Sequence, residues 1–443
     1  MQAVPDIQAV FTEEEAEEKS FVYDIDGPGG RQIFAPQGNM GSIIRLIIGK
    51  DAGGKITMNH EILKVDDSVQ EDGELAGFAK EYQTKLDREL GKVIAVADSD
   101  LPYGDHHESR FQETAIGNLI ADAYRSYYHT DVAFANGGGI RASAKKGDFT
   151  LKDANSILPF GNKIVVAEVD GGMLQAALEN SVAGVDKLAG GFLQVSGLSY
   201  TYNPAKPIGH RIEQAAVNGK PLSKEQKYKL ALSGYMYAGG DKYTMFGGAK
   251  TIVGASEART DVEPLVAYAE QLSTISAKTE GRIGVNGFAD VTSDHWAAEA
   301  VYGLSGKGIL NGVSEARFAP NQAVTRGEFA GLLARALGLE RQAVTGWYGS
   351  GSADLQEPLT REEMAVILAS AYQAKSGKRL ASEPVSTFGD DGELAESAKA
   401  AVSGLAKEGV LSGRGQNLFV PKANVTRAEM AKVIWRLAGG ASG

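Results

Sequence analysis

The stretch NGGGIRASAKKGDFTLKDANSILPFGN, residues 136–162, follows a strand-like DVAFA with three glycines and closes on Pro-Phe-Gly. Three glycines after a strand are most often a tight turn, because glycine accepts backbone angles that side chains forbid. A phosphate-cradling loop is the competing reading, and two forms of it fail. No Gly-Lys-Ser/Thr follows and the next residues lack a helical pattern, so this is not a P-loop. GxGxxG is absent, which excludes the dinucleotide fingerprint. The neighbours point elsewhere. Asn136 offers an amide, and Arg141 a planar fork suited to phosphate or carboxylate. Phe160 stands between Pro159 and Gly161, a poor place to bury a ring. GYMYAGGDKYTMF, residues 234–246, adds Tyr235, Tyr237 and Asp241 beside another glycine pair. Two rings can sandwich a flat base, and a carboxylate can hold ribose hydroxyls. Arg110, in SRFQE, is a further candidate cation. Taken singly, each of these aromatics reads as a core residue.

Outward from that stretch the pattern is mixed α/β (α+β). ETAIGNLIADAYRSYYH, residues 113–129, sets Ile116, Leu119, Ile120, Ala123, Tyr124 and Tyr127 at helical spacing. GGMLQAALENSVAG reads as an amphipathic helix, and GKVIAVADSDL, DVAFA, KIVVAEVD, LSYTYN and YKLALSG as strands. These elements alternate irregularly over 96–283, the expected extent of one domain. Residues 71–95 read as a polar linker helix. Residues 1–70 carry short strand-like runs (FVYDI, GSIIRLIIG, KITMNHEILKV), interrupted by an acidic run from Glu13 to Lys19 that reads as a solvated loop or helix end.

Composition narrows the function. The 443 residues are 43% hydrophobic and 23% charged, enough for several domains with real cores. The net charge of −11, from 45 Lys+Arg against 56 Asp+Glu, argues against polymeric nucleic acid, which normally needs a basic footprint. It leaves room for a small anion held by a few arginines. There is no cysteine, so disulfides, thiolate nucleophiles and cysteine zinc sites are excluded. No apolar run reaches membrane-spanning length. MQAVPDIQAVF has neither a basic start nor a long apolar centre, so no signal peptide is expected in this chain.

After about Val285 the texture changes. GILNGVSEARFAPNQAVTRGEFAGLLARAL, from Gly308, matches GVLSGRGQNLFVPKANVTRAEMAKVIWRL, from Gly409, at a constant offset. A third copy of the back half, PLTREEMAVILASAYQ, lies between them, with GWYGSGSADLQE replacing most of its front. The tail is therefore a three-fold repeat over 288–443, with units at 288–338, 344–375 (abbreviated) and 388–439. Each unit carries Thr-Arg-x-Glu before an apolar helix, which is a capping box. Capping explains the threonine and the glutamate. It does not explain arginine at the first helical position, where a cation opposes the helix dipole. Three such arginines, Arg326, Arg361 and Arg427, imply an anionic partner.

This tail resembles S-layer homology modules, on FADV at 288–291, HW at 295–296, Gly-Ile-Leu-x-Gly, Phe-x-Pro and the Thr-Arg-x-Glu boxes. The resemblance implies an all-α helical region. It also implies attachment to an anionic secondary polysaccharide of the bacterial cell wall, outside the cell. Arg326, Arg361 and Arg427 would then face acidic sugar groups, and Asp290 and Trp296 would line one groove. In the third unit FGDD, residues 388–391, stands where FADV does, and no tryptophan matches Trp296.

The central segment resembles the C-terminal, substrate-binding domain of the 5′-nucleotidases. The matching pieces are RFQETAIGNLIADA, DVAFANGGGIRA, GDFTLKDANSILPFGNKIVVAEVDGGML, LQVSGLSYTYN and SGYMYAGGDKYTMF. The resemblance implies that Phe160 and Tyr235 stack a nucleobase, Asp241 binds ribose, and Asn162 meets the base edge. Arg110, Asn136 and Arg141 would hold the phosphate end or ribose. In that family a separate N-terminal metallophosphatase domain hydrolyses nucleoside 5′-monophosphates, or cyclic nucleotides, with two divalent ions such as Zn or Mn. Residues 1–70 resemble only a remnant β edge of that domain: VPDIQAVFT runs into EEEAEEK where the family has a metal loop. Among the six histidines, only Asp105-His106-His107-Glu108 forms a cluster, and its spacing is wrong for one ion. The expectation is thus no metal, no cofactor and no catalytic residue in this chain. Two readings follow: the substrate-binding part of a wall-anchored nucleotide phosphohydrolase, or a non-catalytic nucleoside-binding or structural surface protein.

Overall fold

The computed structural model describes residues 7, 9–12, 21–24, 31–35, 42–51, 53–54, 56–104, 106–348, 354–380 and 388–439. The acidic run Glu13–Lys19, Asp105 and residues 349–353 of the abbreviated repeat lie outside the described residues. The chain divides into two compact units, residues 1–89 and 90–443.

The first unit is built from short sheets. β1 (Ala9–Phe11) pairs parallel with β3 (Gln32–Ala35), and β2 (Phe21–Asp24) pairs antiparallel with the other edge of β3. β4 (Ser42–Lys50) and β5 (Ile56–Lys64) form a hairpin. α1 (Gly73–Leu90) follows, in the stretch read as a linker helix. Phe34 is buried, but Ile43, Ile47, Ile48, Ile56, Ile62 and Leu63 of the hairpin are exposed. So are Leu75, Phe78, Tyr82 and Leu86, which fall along one side of α1 at helical spacing.

The second unit opens with β6 (Val93–Ala97), α2 (Ala115–Tyr128), β7 (Val132–Asn136), β8 (Gly147–Thr150), α3 (Leu151–Ile157), β9 (Ile164–Asp170) and α4 (Gly171–Ser181). Next come β10 (Leu193–Ser196), β11 (Leu198–Tyr202), β12 (Ile212–Val217), β13 (Lys220–Pro221), β14 (Lys227–Ser233) and α5 (Gly234–Tyr237). β15 (Lys250–Val253), α6 (Val262–Leu272), β16 (Thr274–Ile275) and β17 (Ile283–Val285) complete the domain. The central sheet has the order β10-β7-β14-β9-β15, parallel only between β7 and β14. Side chains alternate across a strand, and both faces of this sheet are buried. Val165, Ala167 and Val169 of β9 pack with α4 and the sheet β13-β12-β11-β17. Ile164 and Val166 pack with α2, α3 and α6. On that second face β7 and β14 present Ala133, Ala135 and Ala231, small enough for Ile116, Leu119 and Ile120 of α2 to seat. Thr114 caps α2, accepting from Gly117 N.

The repeat region is helical: α7 (Ala298–Gly306), α8 (Arg326–Leu337), α9 (Arg341–Thr345), α10 (Arg361–Ser376), α11 (Glu396–Lys407) and α12 (Arg427–Leu437). All three capping boxes form, Thr325 with Glu328, Thr360 with Glu363 and Thr426 with Glu429. The residues just before them close a ring of backbone hydrogen bonds. Val324 N donates to Val425 O, Val425 N to Leu359 O, and Leu359 N to Val324 O, at 2.8–2.9 Å. Each helix start then docks on the next repeat. Arg326 N meets Glu357 O, Arg361 N meets Ala423 O, and Arg427 N meets Gln322 O. Amides that a helix terminus leaves without a partner are thus satisfied between repeats.

The arginine side chains follow the same ring, which corrects the premise that their charge calls for an outside anion. Arg361 is 3% exposed; it donates to Phe419 O and Ser412 O and pairs with Glu429 at 2.7 Å. Arg427, 8% exposed, donates to Phe318 O and Asn311 O. Arg326 donates to Asp354 O and pairs with Glu363 at 2.7 Å. Each cation therefore answers carbonyls or a carboxylate of the neighbouring repeat.

Candidate functional site

The three glycines of the opening stretch form a short 3-10 turn, Gly137–Gly139, off the end of β7. None of them has a positive φ, so the turn does not need glycine for its backbone angles. It needs glycine for close approach. A Cβ on Gly137 would lie 2.1 Å from Ser109 O, and one on Gly138 would lie 2.7 Å from Gly190 Cα. The chain is bare here because two other backbone segments press against it.

These contacts bring distant residues to one cavity of about 520 Å³, lined by Arg110, Asn136, Gly138, Gly139, Phe160, Asn162, Gly190, Tyr235 and Asp241. Six of the seven candidate ligand-binding residues line it. The seventh, Arg141, sets its guanidinium 5.7 Å from the centre of the Phe160 ring and reaches Gly138 O at 3.5 Å. Phe160 and Tyr235 are 58% and 50% exposed, large values for aromatic rings in an otherwise buried domain. Tyr235 sits on α5, a single turn capped by Ser233. Asp241 takes a left-handed backbone, with φ of 49°. Its carboxylate accepts from Tyr235 OH at 3.1 Å and from Asn136 Nδ2 at 3.4 Å. Arg110 donates one guanidinium nitrogen to Leu188 O at 3.0 Å, while its Nε is buried with no partner among the described residues. The cavity thus gathers two exposed rings, a carboxylate held by Tyr235 and Asn136, and an arginine with one unpartnered buried nitrogen.

Residues 93–248 match the family described as 5′-nucleotidase, C-terminal domain, and residues 287–330 and 387–431 match S-layer homology domain. The chain carries a 5′-nucleotidase C-terminal domain followed by S-layer homology domains. It is 31% identical over 235 residues to a trifunctional nucleotide phosphoesterase of Bacillus subtilis, covering 51% of this chain and 16% of that protein. It is 27% identical over 258 residues to 5′-nucleotidase of Bos taurus, covering 53% of this chain and 44% of that one. The chain thus spans less than half the length of either relative. A putative 5′-nucleotidase from Staphylococcus aureus shares the fold, with a TM-score of 0.51 and 18% identity over 63% of this chain and 56% of that one. S-layer homology domains indicate attachment at the cell surface or S-layer. Among the described residues no helix is long and apolar enough to cross a membrane.

The S-layer homology region places its candidates less simply. Asp290 and Trp296 line different cavities, not one groove. Asp290 accepts from the amides of Phe318 and Ala319, both at 2.8 Å. It lines a cavity of about 490 Å³ with His295, Arg317 and, from the nucleotidase domain, His106, Phe111 and Asp186. Asp390 repeats the arrangement, accepting from Phe419 and Val420. Both aspartates hold a residue with left-handed backbone, Ala319 or Val420, so their first role is to fix a turn. Trp296 is 55% exposed and lines a second cavity of about 410 Å³ with Arg361, Arg414, Glu429, Lys432 and Arg436. The repeat offset does not carry this basic set to the first unit, where Val313, Gly331 and Arg335 stand for Arg414, Lys432 and Arg436. Arg326 and Arg427 line neither of these two cavities.

A two-metal centre does not fit the described residues. Among them no three His, Asp or Glu side chains are grouped to hold an ion. His107 Nδ1 is engaged by Tyr103 OH at 2.7 Å, and burial lowers the pKa of its ring from the usual histidine value. His60 lies edge-on to Phe34. No hydrolytic step is assigned to these side chains.

Proposed function

We propose that this chain is the nucleoside- or nucleotide-binding part of a surface-anchored 5′-nucleotidase-type protein. It binds its ligand in the cavity around Phe160 and Tyr235 and holds to anionic cell-wall polysaccharide through its S-layer homology domains. The observation that carries the reading is the convergence of Arg110, Asn136, Phe160, Asn162, Tyr235 and Asp241, spread over more than a hundred residues, on one cavity. A base between the two rings leaves its ribose hydroxyls to Asp241 and its phosphate end to Arg110 and Arg141. The groove at Trp296, where Lys432 and Arg436 stand beside the Arg361–Glu429–Arg414 pairing, supports an anionic sugar polymer as the second partner. The Trp296 ring offers a flat face for sugar packing. Hydrolysis of 5′-monophosphates is the reaction of the family, and its two divalent ions have no fitting ligand set in the described residues.

Two measurements test this. Calorimetric titration with adenosine should show binding, and titration after Phe160→Ala should show it weakened. Phosphate release from AMP with Mn²⁺ or Zn²⁺ should not exceed the EDTA control. Metal-dependent turnover would overturn the binding-only reading of this chain, and absence of nucleoside binding would favour a purely structural surface protein.

A further inference from the structure

Asn162 lies two residues beyond Phe160 and lines the same cavity, but its partner is behind it. Asp261, 3% exposed at the start of α6, accepts from Asn162 N at 3.2 Å and from Asn162 Nδ2 at 3.3 Å. The backbone closes the clasp, with Asp261 N donating to Asn162 O at 2.8 Å. The second carboxylate oxygen accepts from Val262 N at 3.0 Å, so the carboxylate is held in place by its own helix start.

We propose that Asp261 is a positioning residue that turns the Asn162 carbonyl toward the bound base, so that the cavity selects bases with an amino group on that edge. This rests on the nucleoside-site reading above. An ionised carboxylate only accepts hydrogen bonds, so the asparagine amide must turn its NH₂ toward Asp261. The Oδ1 atom is left on the cavity side as an acceptor. A 6-aminopurine brings an N–H to that oxygen. A 6-oxopurine sets oxygen against oxygen, and a polar atom left without its partner under the bound base costs enough to be read as selectivity. Flipping the amide to suit the oxopurine would turn Oδ1 against the Asp261 carboxylate.

The test is the ratio of adenosine to inosine affinity, measured by calorimetry on the full chain at pH 7.5. The native chain should prefer adenosine by about tenfold, the scale of one unmatched hydrogen bond. Asp261→Asn can face Asn162 with either oxygen or nitrogen, so the ratio should fall toward one, mainly through tighter inosine binding. Asn162→Ala should also bring the ratio toward one while adenosine still binds, which keeps the test open if Asp261→Asn fails to fold. A general weakening of both nucleosides at an unchanged ratio would give Asp261 a merely structural role and overturn the assignment. Equal affinities in the native chain would overturn the assignment alone. No binding of either nucleoside would overturn the site reading and the assignment with it.

Discussion

The Nε of Arg427 donates to the carbonyl oxygen of Phe318 at 2.8 Å, across 109 residues of chain, and the guanidinium lies 4.7 Å from the centre of the Phe318 ring. Arg361 does the same to Phe419 in the preceding step of the ring, at 2.7 Å and 4.6 Å. The first helical arginine of a repeat is thus a clamp on the next repeat's turn. Its cost against the helix dipole is small beside the carbonyls it satisfies.

Arg427→Ala should therefore act on stability first. It strands the Phe318 and Asn311 carbonyls and removes the stacking, a loss of about 2–4 kcal/mol for a buried charged donor with two acceptors. Arg427→Lys should recover little, because a point charge cannot fork between two carbonyls. Hydrogen exchange in α8 and α12 should speed up in both variants, while nucleoside affinity stays unchanged. Unaltered exchange in these helices would show that the clamp is not what closes the ring.

Polysaccharide retention should depend on the basic groove. Lys432→Ala with Arg436→Ala should lower co-sedimentation with anionic cell-wall polysaccharide, and the loss should shrink as salt rises and screens the native interaction. Arg335→Ala, at the matching place in the first repeat, should leave retention close to native. Equal effects from both changes would mean that retention does not depend on the Trp296 groove.

Much of this was legible because the signals are local. A capping box spans four residues and α2 repeats its apolar positions every turn, so both can be read without knowing the fold. The ligand cavity was legible through resemblance and through side-chain types: an exposed Phe160 between Pro159 and Gly161 has few structural uses. The destination of the N1 arginines was not, because their backbone acceptors lie 28 to 116 residues away and leave no mark on a sequence, and the carboxylates that pair with Arg326 and Arg361 belong to the next repeat's capping box, a contact only the closed ring makes. The separation of Asp290 from Trp296 was hidden for the same reason, since Asp290 answers two backbone amides. Asp261 carried no mark in the sequence: its site role depends on tertiary packing, which brings it against Asn162 across 99 residues of chain.

The two rings of the cavity can be tested separately. Phe160→Ala should weaken nucleoside binding by about 1–3 kcal/mol, the scale of an aromatic ring stacked on a base. Gly240→Ala should weaken it by displacing Tyr235 instead, since the new Cβ would lie 2.5 Å from atoms of that ring. Calorimetry at one temperature reads both. Native affinity in either variant would take that ring out of the sandwich.

Asp261 should also leave a signature in stability against pH. Burial pushes its pKa from the ordinary carboxylate value up to about 6, against the opposing pull of its hydrogen bonds to Asn162 and Val262. The charged groups nearest in sequence, Arg259 and Glu263, are paired with each other at 3.5 Å. From α2 the buried Tyr124 phenol faces Asp261, and burial followed by the Asp261 charge raises its pKa well above the usual tyrosine value. A carboxyl with a raised folded-state pKa favours the fold most when it is protonated. Its contribution is therefore complete below about pH 4 and is lost as pH rises through about 6, a change of about 3 kcal/mol for a shift of this size. Asp261→Asn carries no charge at any pH, so its melting temperature relative to the native chain should rise between pH 5 and pH 8. The same titration should weaken the hold on Asn162 below about pH 6, where a protonated Asp261 can donate as well as accept, and the adenosine preference should fall with it. A melting difference that stays constant from pH 5 to pH 8 would show that Asp261 keeps one protonation state across that range.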